Sequence, residues 1–388
     1  MIIGQFCDTY PPSLDGVGRV ALAYCQGLKK LGHAVYYVGP NSPHAKDDEN
    51  LNAVLSMSLK IPTELHRLGI PWVSLKYRKR LNSIPFDIVH AHSPFSSGLE
   101  ALKVAKKLNV PLVATFHSKF YDDALKITHS KTLSKAFVNN IIDFFNKCDA
   151  VWTVNAGTAQ VLRDYGFGGK ITVIENGTDP TVVSKKSLAS VRQKIHYDKA
   201  LPLFLFVGQH SSKKNLGSVL DACALLKARG LNFRLVTAGD GPDFDKFQRQ
   251  VKKLGLTDEV QFLGFIDDFN ELAALYSLAD LLVFPSLYDN APMVLREAAA
   301  AGTPALLVRG STAAERLKDG QNALIAADDS PEAIATRIES GLKTLKTIGQ
   351  NALETIPTPW PKILKKVARE YEALILEKQG RIKDSNML

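Results

Sequence analysis

Short runs of β-branched and aliphatic residues alternate with helix-length amphipathic stretches along nearly the whole chain, and this alternation limits its fold more than any other feature. Strand, helix, strand is the unit of a parallel sheet, because a crossover helix must return the chain before the next strand can run in the same direction. In the first half, strands are expected at Ile2 to Phe6, Ala34 to Val38, Ile88 to Ala91, Leu112 to Phe116, Val151 to Val154 and Ile171 to Ile174. The rhythm breaks over the turn cluster Asn176-Gly177-Thr178-Asp179-Pro180 and the polar stretch that runs on to about Ala200. It restarts with Leu203 to Val207, Phe233 to Ala238, Val260 to Leu263, Leu281 to Phe284 and Ala305 to Val308. At 388 residues the chain is longer than one hydrophobic core usually serves. The expected fold class is therefore α/β, with two Rossmann-like, doubly wound domains at 1–180 and 181–359. A last helix, about Pro361 to Leu376 within 360–388, is expected to pack back on the first domain.

Apolar residues make up 45% and charged residues 22%, ordinary globular usage, and no apolar run is long enough to span a bilayer. Met1 to Phe6 runs directly into a strand without a basic flank, so a cytoplasmic protein without a cleaved signal peptide is expected. Cys7, Cys25, Cys148 and Cys223 form no C-x-x-C pair and read as reduced packing residues. Net charge is +9, and its location is informative: Lys60 to Lys147 holds fourteen Lys or Arg against six Asp or Glu, a surplus of eight. Such a stretch attracts anionic groups. Nucleic acid is not an expected partner, since no recognition helix or stacking motif accompanies the charge.

Doubly wound sheets bind ligands outside the carboxyl ends of their strands. After the first strand comes Pro11-Pro12-Ser13-Leu14-Asp15-Gly16-Val17-Gly18-Arg19. Gly16, Gly18 and Ala21 match the loose dinucleotide pattern G-x-G-x-x-A, but the loop is too long for its tight turn. The second strand also ends in Val38-Gly39-Pro40-Asn41, where an acidic ribose ligand should stand. His90, His92 and His117 end neighbouring strands and can face one cleft; without a supporting cysteine or carboxylate cluster, hydrogen bonding suits them better than metal binding. In the second half, Gly208-Gln209-His210, Lys213-Lys214-Asn215, Ala238-Gly239-Asp240-Gly241-Pro242 and Phe262-Leu263-Gly264-Phe265-Ile266 all follow strands. Asp243-Phe244-Asp245 matches a metal-binding D-x-D pattern but sits where acids cap a new helix, and is read as a cap. The segment Phe284 to Ala298 places Asp289 on a loop and Glu297 on the following helix, two carboxylates able to accept hydrogen bonds from vicinal hydroxyls.

Asp289-x7-Glu297, the Ala-rich helix closing at Gly302-Thr303-Pro304, Ala238 to Pro242, Phe262 to Phe265, Glu175-Asn176-Gly177-Thr178-Asp179 and Thr115-Phe116-His117 together resemble glycosyltransferase family four. The resemblance runs from the first strand to about Ala335 and implies a GT-B fold with two domains facing a central cleft. It implies a retaining hexosyltransferase that uses a nucleotide sugar and no metal or other cofactor; the base is not fixed by the sequence, and uridine is taken as the default. The acceptor would be a saccharide or a lipid-linked molecule, and the basic cluster Lys76-Tyr77-Arg78-Lys79-Arg80 places the expected contact at the inner face of an anionic membrane. Carried over residue by residue, Glu297 binds the ribose, Asp289 the sugar hydroxyls, Lys214 the diphosphate and Ile266 the base, with Gln209, Gly239 and Asn290 beside the donor. Gly16 and His117 border sugar and acceptor, and Asp15 and His92 line the same cleft. Catalysis is expected from His117, Asp289 and Lys214. The chain departs from the family with Asp289 for the usual Glu, Gln209 for the usual Arg, and Asn290-Ala291-Pro292 for a Gly-rich turn. An epimerase or a non-catalytic partner subunit is the alternative.

Overall fold

The computed structural model describes residues 1–11, 15–42, 51–60 and 67–385; Pro12, Ser13 and Leu14 of the glycine-containing loop lie outside the described residues. The chain divides into two compact units, residues 1–176 with 360–388, and residues 177–359. The division falls inside the turn cluster at Asn176 and Gly177.

The first unit is built on a seven-stranded sheet ordered Val54–Ser56, Ala34–Pro40, Ile2–Phe6, Ile88–Ala91, Leu112–Phe116, Ala150–Thr153, Ile171–Val173. Every neighbouring pair is parallel. The second unit has a six-stranded sheet ordered Val260–Phe262, Arg234–Ala238, Leu203–Val207, Leu281–Val283, Ala305–Val308, Leu324–Ala326, again parallel throughout. In each unit the first strand lies inside the sheet and the chain is wound outward from it in both directions. The strand composition follows, since helices cover both faces: all five side chains of Leu203–Val207 and of Leu112–Phe116 are buried. Val54–Ser56, Leu324–Ala326 and the antiparallel hairpin Ser58–Lys60 with Arg67–Gly69 were not expected from sequence. Each is three residues long, too short for a period-two pattern to show.

The C-terminal helix, Trp360–Ser385, belongs to the first unit and is tied there by buried polar contacts as well as apolar ones. Tyr371 lies flat on Trp152, ring centroids 5.5 Å apart. Its hydroxyl sits 3.1 Å from Gln5 Nε2 and 2.6 Å from His90 Nδ1. His90 Nε2 is 2.7 Å from Thr115 Oγ1, and His92 Nε2 is 2.8 Å from Gln5 Oε1. One assignment of protons satisfies every link: Gln5 donates to Tyr371, Tyr371 to His90, His90 to Thr115, and His92 to Gln5. Such a fully paired buried network specifies one seating for the helix. His90 and His92 stack at 4.3 Å, and His92 and His117 at 5.7 Å, so three imidazoles form a ladder.

Burial holds all three rings below the ordinary histidine pKa, with mutual repulsion adding for His90 and His92; those two lie well below 6.5, and His117 is brought down to about 4. The ladder is therefore neutral in the folded chain at neutral pH. Below about 6.5 the unfolded chain binds protons that the folded chain refuses, so stability is greatest above that value and falls as pH drops toward 4. Urea midpoints should decline between about pH 7.5 and about pH 5, with a shallower decline in His117→Gln. A midpoint that stayed level or rose would contradict a neutral ladder.

Candidate active site

In the second unit, Leu203–Val207 lies between Arg234–Ala238 and Leu281–Val283, and the chain winds away from it to opposite sides. That reversal opens a crevice at the carboxyl ends of the two central strands. The segments leaving them are Gly208 to Asn215 and Phe284 to Pro292, which carry Gln209, Lys214, Asp289 and Asn290 of the expected donor residues. Lys214 ends a single 3-10 turn, Ser212–Lys214, and Asn215 in a left-handed conformation, φ 59°, starts the helix Leu216–Ala228. The turn thus sets a lysine at the N-terminal end of a helix, where unpaired amides and the helix dipole favour an anion.

Lys214 Nζ reaches Asp289 Oδ1 at 2.5 Å, with side chains only 20% and 16% exposed. The Ser286 hydroxyl donates to Asp289 Oδ2 at 2.6 Å, and the Thr312 hydroxyl donates to the Asp289 carbonyl at 3.0 Å. Thr312 also meets Asn290 Oδ1 at 3.2 Å, and Asn290 is buried. Glu297 lies in the helix Met293–Ala300, whose first residue follows Pro292; the ring nitrogen that cannot donate stands at the cap, where no donor is needed. Glu297 is 8% exposed and its Oε2 accepts from the buried Tyr276 hydroxyl at 2.9 Å. Ser286 and Tyr276 were not singled out from sequence. Ser286, three residues before Asp289 at a strand end, carries a spacing that could have marked it; Tyr276 sits in a helix distant in sequence and carries none.

Three glycines stitch the strand-end loops together. A Cβ on Gly239, φ 142°, would fall 1.9 Å from the Gly208 carbonyl oxygen, and the Gly239 amide donates to the Gly264 carbonyl at 2.8 Å. The Gly239 amide is thus taken by the loop packing and is not directed at a donor. Gln209 is exposed at the strand end, whereas His210 beside it is fully buried, stacked on Phe244 at 5.6 Å and edge-on to Phe262 and Phe247. Burial lowers its pKa, which disfavours a charged His210 beside Gln209. Ile266 has its side chain in the core next to the exposed Phe265. Asp243 stands at the N-cap of Phe244–Lys253 without bonding that helix; its Oδ2 instead accepts from the Ser212 amide and hydroxyl, both at 2.6 Å. Asp243 therefore holds the N-cap position but does not cap the helix as expected; it braces the lysine turn instead, and hydrogen bonding to Ser212 lowers its pKa.

In the first unit, Asp15 caps Gly16–Lys30, accepting from the Gly18 amide at 2.7 Å and the Thr9 hydroxyl at 3.1 Å. Gly16 is exposed, and nothing lies within 4 Å of the position a Cβ would take. Asp8, which sequence reasoning passed over, joins the first strand's loop to that of Ile88–Ala91. It accepts from the Ser96 hydroxyl at 2.6 Å, the Ser97 amide at 2.9 Å and the Ser93 hydroxyl, and so caps the helix Ser96–Leu108 from another segment. His90 does not face a cleft as expected, being fully buried among Tyr371, Thr115 and Trp152. His92 is buried one step above it. Only His117, half-buried, reaches outward, with Nε2 3.5 Å from His92 Nδ1.

Comparison with known proteins adds ancestry to this geometry. Residues 14–182 match the family described as Glycosyltransferase Family 4, and residues 189–352 match Glycosyl transferases group 1. The chain is 25% identical over 323 residues to alpha-monoglucosyldiacylglycerol synthase of Streptococcus pneumoniae, covering 79% of this chain and 70% of the relative. It is 26% identical over 398 residues to phosphatidyl-myo-inositol mannosyltransferase of Mycobacterium leprae, covering 96% and 97%. Anabaena Alr3699/HepE, solved with UDP and glucose, superposes with a TM-score of 0.77 at 17% identity, covering 96% of this chain and 99% of that one. With the two family matches spanning most of its length and two parallel α/β units beneath them, the chain belongs to the family four glycosyltransferases of the GT-B fold.

Proposed function

We propose that this glycosyltransferase moves a hexose from a UDP-sugar to a hydroxyl of a membrane lipid or cell-envelope glycan, with the anomeric configuration retained and no metal required. The observation that carries the reading is the setting of Lys214, Asp289 and Glu297 on the two loops and one helix that border the switch point of the second sheet. The two named relatives are a monoglucosyldiacylglycerol synthase and a phosphatidyl-myo-inositol mannosyltransferase, and the Anabaena protein was solved with UDP and glucose. In the mechanism, the diphosphate takes Lys214 and the amides at the start of Leu216–Ala228, which stabilise the charge left on the phosphate. Asp289 holds sugar hydroxyls, and Glu297, fixed by Tyr276, holds the ribose. His117, neutral and braced by His92, borders the sugar and the acceptor. The departing phosphate accepts the acceptor's proton, and rate comes from holding the two substrates together.

A membrane-proximal acceptor agrees with the surface of the first unit. The helix Leu75–Asn82 presents Lys76, Arg78, Lys79 and Arg80 to solvent while Tyr77 and Leu81 are buried. Trp72, Val73 and Leu75, just before those charges, are 63%, 53% and 76% exposed. In the helix Lys131–Phe145, Ile141, Ile142 and Phe145 lie in the core, whereas Leu133 and Phe137 are exposed. Among the described residues no helix is long and apolar enough to cross a membrane.

Three tests follow. Glu297→Ala should abolish donor binding by calorimetry, whereas Asp289→Ala should chiefly lower kcat; near-normal transfer by both would remove the site. Transfer should continue in excess EDTA, and full loss restored only by manganese or magnesium would reassign Asp243 and Asp245. The protein should sediment with anionic vesicles and less with neutral ones, since each basic residue near such a surface contributes about 1 kcal/mol. Arg78, Lys79 and Arg80 changed together to Gln should weaken that attachment and leave nucleotide binding unchanged. Equal sedimentation with both vesicle types would point to a soluble acceptor.

A further inference from the structure

We propose that the Lys214–Asp289 ion pair is a latch that selects the intact nucleotide sugar over the nucleoside diphosphate it becomes, an inference that rests on the donor-site reading above. Asp289 is the fixed half. Ser286 holds one carboxylate oxygen at 2.6 Å, Thr312 holds the main-chain carbonyl at 3.0 Å, and the Ser286 oxygen itself lies 3.4 Å from the Lys213 carbonyl. Lys214 is the movable half, a single ammonium on a flexible stem that sits 2.5 Å from the carboxylate and 5.9 Å from the centre of the Phe284 ring. Because both side chains are largely shielded, drawing Lys214 away leaves a carboxylate with Ser286 as its remaining side-chain donor. An ion so stranded costs more than the loss of a surface contact.

Two ligands meet this pair differently. A nucleoside diphosphate recruits Lys214 but brings nothing for Asp289, so its binding carries the full cost of opening the pair. A nucleotide sugar brings the diphosphate for Lys214 and hydroxyl donors for Asp289 together, and both charges remain partnered. Once the sugar has moved to an acceptor, its hydroxyls leave Asp289. The carboxylate then competes for Lys214 again and loosens the diphosphate. The shorter Asp side chain suits this exchange, since it lets the loop carboxylate reach the lysine while Ser286 and Thr312 hold it.

The test is calorimetric titration of UDP, with GDP and ADP alongside, into wild type, Asp289→Asn, Asp289→Ala, Lys214→Ala and the Lys214→Ala/Asp289→Asn double variant. Each Asp289 variant should bind its best diphosphate roughly tenfold more tightly than wild type, while the corresponding nucleotide sugar gains nothing or binds less well. The tightening should vanish in the Lys214→Ala background, because the gain passes through the lysine. Unchanged or weaker diphosphate binding in both Asp289 variants would overturn the latch, as would a gain that persists without Lys214, which a simple repulsive field would give. If no diphosphate bound wild type or any variant, the donor-site reading itself would fall and the latch with it.

Discussion

A parallel strand cannot reach its neighbour without carrying the chain across the face of the sheet, and everything in this molecule follows from that requirement. The crossovers cover both faces of each sheet with helices, which is why the central strands are buried and mostly apolar, and why polar residues within them, such as Gln5, His90 and Thr115, are hydrogen-bonded inside the first unit. Polar side chains are displaced to the loops at the strand ends. Winding outward from an interior strand then creates one place in each unit where two successive loops diverge, and there the sequence places its charges and histidines.

The two units use that place differently. In the second, the polar groups are ionic and paired: Lys214 with Asp289, Ser212 with Asp243, and Glu297 with a buried tyrosine hydroxyl. In the first, the groups are neutral rings and amides joined into one chain from Thr115 through His90, Tyr371 and Gln5 to His92. An ionic site is stabilised by a ligand that exchanges one partner for another. A neutral ladder serves by not moving, since each of its links is already closed between two buried groups.

Sequence reading was strongest where a single segment carried the whole signal. The β-rich runs Ile2–Phe6, Leu112–Phe116 and Leu203–Val207 were legible because burial on both faces leaves predominantly apolar stretches, and Asp289 with Glu297 because seven residues separate them across one loop and one helical turn. What could not be read depended on partners remote in the chain. His90 resembled His92 until Tyr371, 281 residues away, was seen to bury it. Asp243 had the position of a helix cap, yet its hydrogen bonds go to Ser212, 31 residues earlier. Gln5 looked like one residue of a strand, and Asp8 like a loop acid; contacts 366 and 88 residues distant show what each does. The strands Val54–Ser56 and Leu324–Ala326 were hidden by brevity rather than by distance.

The chain's path through its own units bears on how it is made. Because Trp360–Ser385 completes the unit that Met1 began, residues 177–359 are an insertion between two parts of one body. On the ribosome, Gln5 and His90 emerge long before Tyr371, and until then their buried hydrogen-bonding groups lack the hydroxyl that joins them. The inserted unit has its own complete sheet and core and needs nothing from the last helix to close. Order of synthesis is thus inverted in order of completion: the half that begins the polypeptide is the last to be finished, and chains cut short before residue 371 carry a first unit that is open at its centre.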